Sequence, residues 1–127
     1  MSSDTWISGK VVHGKGFGKK LGFPTANLEL IQGEERPAEG IYACWAKIGE
    51  EKFGGALHVG PRPAISDETP TIEVHILDFD ERDLYGQTIS LQLVQRLRDV
   101  QKFDSLQELA QAIAQDCNEA RTYLAAS

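Results

Sequence analysis

Cysteine is scarce in this sequence: Cys44 and Cys117 are the only two in 127 residues, and they fall in different predicted elements. Two thiols so placed exclude a disulfide framework and read as buried groups of a reducing compartment. Met1 to Gly9 shows no basic-then-apolar leader pattern, so a cytoplasmic location is expected. No apolar run approaches the roughly 18 residues that a membrane span needs, and no membrane partner is expected. Excess positive charge is missing too: 13 Lys and Arg face 19 Asp and Glu, a net charge of −6. Proteins that grip a nucleic-acid backbone usually carry a dominant basic face, so nucleic acid is not an expected partner. A local basic pocket for a nucleotide stays open. Neither a repeat of roughly 20–50 residues nor a low-complexity tract is present.

What is there fits one globular domain over residues 1–127, expected to be a monomer: 41% hydrophobic and 25% charged residues lie near globular averages. A chain of this length buries about two thirds of the surface its unfolded form exposes, enough to fold without staples.

The first two thirds alternate with a period of two rather than wind. Extended runs are predicted at 6–13, 41–48, 53–59, 71–79 and 88–97. In 41–48, Tyr42, Cys44, Ala46 and Ile48 share one side; in 71–79, Ile72, Val74 and Ile76 oppose Thr71, Glu73 and His75. Gly60-Pro61-Arg62-Pro63 ends one ladder, because two amide donors are missing, and Asp83-Leu84-Tyr85-Gly86 marks a turn. Short strands at close spacing with such punctuation predict a mainly β, closed antiparallel barrel. The period then changes. Ser105 and Glu108 form a capping box, and Leu106, Leu109, Ala110, Ile113, Cys117, Ala120 and Leu124 recur at helical spacing. A helix over 105–125 is predicted, its stripe laid against the barrel.

Between the first two extended regions lies Gly14-Lys15-Gly16-Phe17-Gly18-Lys19-Lys20. Alternate glycines let the backbone approach a ligand, successive amides can form an anion-binding concavity, and the lysines add positive charge. A solvated inter-strand loop is the plainer reading. Gly9 to Lys15 has P-loop spacing, but Gly16 stands where the metal-ligating Ser or Thr should be. The dinucleotide fingerprint fails because Lys19 replaces its third glycine.

Leu21-Gly22-Phe23-Pro24-Thr25-Ala26-Asn27-Leu28 follows at once. Pro24 stiffens the segment, and Thr25 and Asn27, two apart, point the same way. A hydroxyl and an amide oxygen side by side suit Mg²⁺, although both residue types also serve ordinary turns.

These segments together resemble the riboflavin kinase family. The resemblance rests on Gly14-x-Gly16-x-Gly18-x-x-Leu21-Gly22-Phe23-Pro24-Thr25-Ala26-Asn27, followed in order by Gly40-Ile41-Tyr42-Ala43 and Val59-Gly60-x-x-Pro63. Ile72 to Phe79, Asp83-Leu84-Tyr85-Gly86, Leu97-Arg98 and Lys102 to Leu106 complete it, over about Gly9 to Arg121. It implies a six-stranded antiparallel Greek-key-type barrel with a C-terminal helix, and transfer of the γ-phosphate of ATP to a riboflavin hydroxyl. It further implies that Thr25 and Asn27 hold Mg²⁺ or another divalent metal and the phosphates, with Glu73 as the base. Gly14, Gly16, Gly18, Lys19, Lys20, Ile76, Asp78 and Tyr85 would line the ATP side, and Arg98 and Phe103 would hold the flavin. The partners implied are riboflavin or FMN and ATP or ADP.

Three residues depart from the family pattern. His58 stands where Asn or Ser is more usual, and Ala64-Ile65 replace Thr-Phe. The FMN adenylyltransferase domain that often precedes this module in bacteria is not in these residues, so synthesis of FAD is not expected. The alternative is a catalytically inactive flavin- or nucleotide-binding barrel.

Overall fold

The structure, a computed structural model, describes residues 6–12, 25–60, 71–79 and 83–126. Among these described residues six strands and one helix follow in order: β1 (Ile7–Val12), β2 (Ala26–Leu30), β3 (Gly40–Ile48), β4 (Glu51–Gly60), β5 (Thr71–Ile76), β6 (Thr88–Arg98) and α1 (Leu106–Ala125). The strands close into an antiparallel barrel in the order β1-β2-β5-β4-β3-β6. β3, β4 and β5 are consecutive neighbours, and β6 returns to lie beside β3, which is a Greek key.

Five strands fall where alternation predicted them. β2 was not anticipated as a strand. Pro24 and the turn-forming Thr25 and Asn27 mask a short ladder in which Ala26 and Leu28 face the barrel interior. β5 is shorter than the predicted 71–79. Leu77 still donates its amide to the Gly54 carbonyl at 2.9 Å, but Asp78, with φ of 55°, turns the chain out of the ladder. The β3–β4 hairpin closes through Gly49 and Glu50, with Ile48 opposite Glu51 and Gly49 at φ 60°, as a type II′ turn requires of its first central residue.

Two cores result from the pleat. Inward residues of every strand, among them Leu57, Val59, Val74, Ile89 and Leu91, fill the barrel. On the outer face, Ala43, Ala56 and Leu77 meet Cys117, Ala120 and Leu124 of α1. Small residues let the helix approach: a Cβ added at Gly54 would lie 2.7 Å from Cδ1 of Leu124. Ser105 caps the helix, its Oγ accepting the Glu108 amide at 3.1 Å. The reciprocal arm of the capping box reaches one residue further back, Glu108 Oε1 accepting the Asp104 amide at 3.3 Å. Leu106 does not join the buried stripe as expected and is 48% exposed, because the first turn precedes the seam.

Candidate active site

Alternation decides which side chains can meet. Ile72, Val74 and Ile76 point into the barrel, so Thr71, Glu73 and His75 point out. In the same way, inward Ala26 and Leu28 leave Asn27 outward, and inward Leu57 and Val59 leave His58 outward. Register aligns these outward residues into one row. Asn27 on β2 stands opposite Glu73 on β5; Glu73 stands opposite His58 on β4; His58 opposite Ile41 on β3; and Ile41 opposite Arg98 on β6. Residues far apart in sequence thereby become neighbours about 5 Å apart, strand by strand.

Glu73 is fixed at both carboxylate oxygens. Thr25 Oγ1 donates to Oε1 at 3.2 Å, and Thr71 Oγ1 lies 3.1 Å from Oε2. The Thr71 hydroxyl also lies 3.0 Å from the Gly60 carbonyl oxygen, and Arg36 Nη2 donates to the Thr71 carbonyl at 3.3 Å. A carboxylate on a strand, with a hydroxyl at each oxygen, is held in one orientation. Thr25, Asn27 and Glu73, separated in the chain, thus occupy one outward patch. Their donors are a hydroxyl, an amide and a carboxylate. Such an all-oxygen set fits a hard cation that shares its shell with phosphate oxygens. Among the described residues no three His, Cys, Asp or Glu side chains gather into a metal cage.

At the other end of the row, two register shifts between β3 and β6 re-aim the end of β6. Arg98 then makes a bidentate pair with Asp116 of α1, Nε to Oδ1 and Nη2 to Oδ2, each at 2.8 Å. Its guanidinium carbon lies 5.8 Å from the centre of the Phe103 ring, within cation–π range. Burial pushes the Asp116 carboxyl above the usual carboxylate range, and the Arg98 guanidinium opposes that rise. Sequence reasoning missed Asp116, because an acid amid a helical apolar stripe reads as a solvated residue. Its signal was position: Asp116 adjoins Cys117 and follows Ile113 by three, on the buried face.

His58, between the two ends, has both ring nitrogens closed to solvent and without a hydrogen-bond partner among the described residues. Burial lowers its pKa. The Glu73 and Asp116 carboxylates oppose that shift, and Arg98 adds to it. The thiols play no such part: Cys44 lies inside the barrel, where burial pushes it up to about 12, and Cys117 in the helix seam rises to about 11.

The remaining expected residues are placed differently. Ile76 belongs to the barrel core, on the face opposite Glu73. Asp78 is largely exposed, and its carboxylate accepts from Arg121 of α1 at 3.1 Å. Tyr85 is 54% exposed in the turn whose Gly86 amide donates to the Val11 carbonyl at 2.9 Å; Val11 precedes Val12, the register partner of Asn27. That turn therefore borders the Asn27 end of the row. Gly14, Gly16, Gly18, Lys19 and Lys20 lie outside the described residues, as do Pro61-Arg62-Pro63.

Comparison with known proteins bears on this arrangement. A family model described as Flavokinase: Riboflavin kinase matches residues 1–124. The bifunctional riboflavin kinase/FMN adenylyltransferase of Escherichia coli strain K12 is 41% identical over 118 residues, covering 92% of this chain and 37% of that protein. The RNA-binding riboflavin kinase of Bacillus subtilis strain 168 is 37% identical over 114 residues, covering 88% of this chain and 48% of that protein. The solved riboflavin kinase of Trypanosoma brucei superposes with a TM-score of 0.68 at 27% identity, covering 94% of this chain and 78% of that one. This chain thus spans little more than a third of the first bacterial relative's length and just under half of the second's. With the family model matched almost end to end on a barrel of this topology, the chain belongs to the riboflavin kinase family.

Proposed function

We propose that this domain is an ATP-dependent riboflavin kinase, passing the γ-phosphoryl group of ATP to the terminal ribityl hydroxyl to give FMN and ADP. One observation carries the reading: Thr25 Oγ1 donates to the Glu73 carboxylate while Asn27 stands directly across the ladder from it. Phosphoryl transfer asks little covalent chemistry of a protein. It needs the acceptor held in line, charge neutralised, and a group to receive the hydroxyl proton.

Glu73 receives that proton. As the ribityl oxygen closes on the γ-phosphorus, the bond from phosphorus to the β,γ-bridging oxygen breaks, ADP keeps the electron pair, and the proton passes to the Glu73 carboxylate and then to water. Thr25 and Thr71 orient the carboxylate for this step. Thr25 and Asn27 would hold Mg²⁺, which when bound neutralises the triphosphate charge. Arg98 and Phe103 hold the flavin end, stacking on an aromatic ring being worth about 0.5–1.5 kcal/mol beyond area burial. The Gly14–Lys20 segment, with Gly16, Gly18 and Lys19, supplies phosphate contacts, and Asp78 and Tyr85 border the nucleotide. The domain acts as a cytoplasmic monomer.

The test is direct. Purified protein with riboflavin, ATP and Mg²⁺ should form FMN and ADP in equal amounts, and omission of the metal should abolish both. Tight flavin binding without FMN would assign the barrel to storage or delivery instead.

A further inference from the structure

We propose that His58 is a substrate-binding residue, its imidazole hydrogen-bonding the polyol hydroxyls of the phosphoryl acceptor. The inference rests on the riboflavin kinase reading and concerns how this chain holds its acceptor.

Position argues first. His58 occupies the middle of the outward row, one strand from Glu73 and two from Arg98. An acceptor whose ring lies at Arg98 and Phe103, and whose reacting hydroxyl lies at Glu73, must lead its intervening chain across β4. There the side chain that faces out is His58. The hydroxyl-bearing part of the acceptor is that intervening chain.

Hydrogen-bond inventory argues second. Both ring nitrogens are shut off from water and have no partner among the described residues. Buried polar atoms in folded proteins are nearly always paired, and an unpaired one is costly. Elsewhere the row is already engaged: Glu73 by Thr25 and Thr71, Arg98 by Asp116. An imidazole with burial against its charged form is a neutral ring, with one N–H donor and one bare nitrogen acceptor. Hydroxyls offer the complement to both at once. A free carboxylate or a phosphate would satisfy only the donor. Glu73, Arg98 and Asp116 are the charged groups that act on this ring, with a smaller contribution from its own backbone, and no group among the described residues meets either nitrogen in hydrogen-bond geometry.

The chemistry predicts a selectivity that can be measured from both sides of the contact. Riboflavin and lumiflavin share the ring system, but lumiflavin carries a methyl group in place of the polyol. Binding of each would be titrated by flavin fluorescence against the wild-type protein, His58→Leu and His58→Asn. His58→Leu should weaken riboflavin roughly ten- to a hundredfold, the loss of one or two hydrogen bonds, while lumiflavin changes by less than about twofold. His58→Asn, which keeps a donor and an acceptor, should recover most of the riboflavin affinity. Equal losses for both flavins, or no loss for either, would overturn the proposal.

If His58→Leu fails to melt cooperatively, the wild-type protein decides through ¹⁵N signals of the His58 ring, assigned by their absence in His58→Asn. These should move on adding riboflavin and stay in place with lumiflavin; unmoved signals with riboflavin bound would sink the idea. Failure of the kinase reading looks different, since the wild-type protein would then make no FMN, whether or not it binds riboflavin.

Discussion

On β4, Ala56 and His58 stand two residues apart on the same outward face, yet they serve two different surfaces. Ala56 lies under α1 with Ala43, Leu77 and Leu124, in a seam of small and apolar groups. His58 lies past the edge of that seam, in line with Glu73 and Asn27. The pleat gives both the same direction, so what separates them is the position of the helix axis. One outer surface is closed by twenty residues of helix and contributes stability. The other gathers the Thr25 hydroxyl, the Asn27 amide, the Glu73 carboxylate and the His58 imidazole from the residue before β2, β2, β5 and β4, and is the surface to which we assign the chemistry. The Arg98–Asp116 pair stands on the border, tying the helix to the last residue of the row.

This division can be broken from either side. The largest effect is expected at Glu73. Glu73→Gln keeps shape and one hydroxyl contact while removing the proton acceptor. Turnover should fall by on the order of 10²–10⁴, equivalent to about 3–5 kcal/mol of barrier. Thermal stability and riboflavin affinity should hold; a steady-state assay beside a melting curve checks both, and full activity would remove Glu73 from the mechanism. In the seam the expectation reverses. Leu124→Ala empties a buried site against Gly54 and should cost about 2–4 kcal/mol in denaturant unfolding, with turnover of the folded fraction little changed.

At the border, both properties should move together. Asp116→Asn leaves Arg98 without its bidentate partner. Because Arg98 is 24% exposed and can regain water, a loss of about 2 kcal/mol is expected, less than for a fully buried pair. Flavin affinity should drop with it, since the guanidinium beside Phe103 is no longer held. Stability falling with flavin binding intact would assign the pair to the scaffold alone.

The smallest effect concerns pH. The His58 ring has a folded-state pKa below its ordinary 6.5, so below that pH the unfolded chain binds more protons than the folded one. Its contribution is complete above about pH 6.5 and is lost as the pH falls toward the lower folded value. Glu73 and Asp116 reduce that loss and Arg98 increases it. The melting temperature of wild type should therefore decline more between about pH 7 and pH 5.5 than that of His58→Asn. Parallel curves would contradict the burial of this ring.

Much of the barrel could be read from the chain because its strands alternate cleanly and one face is always buried. Thr71 to Ile76 shows this best, and the same alternation places Glu73 outward. β2 was hidden because Pro24, Thr25 and Asn27 are turn formers, and the Ala26 and Leu28 alternation is too short to outweigh them. The helix was legible from its cap and stripe. Asp116 was not: burial of an acid depends on Arg98, whose direction follows from register shifts that no local pattern announces. The row itself was beyond sequence reading for the same reason. Asn27, Glu73, His58 and Arg98 are aligned by cross-strand register, which only the closed barrel defines.

A crystal structure of the protein with Mg²⁺, ADP and FMN tests catalysis on this outward row most directly. The phosphoester oxygen of FMN should lie within about 2.6–3.2 Å of a Glu73 carboxylate oxygen, with the metal at Thr25 and Asn27. An FMN phosphate bound on another face of the barrel, with Glu73 open to bulk water, would contradict it.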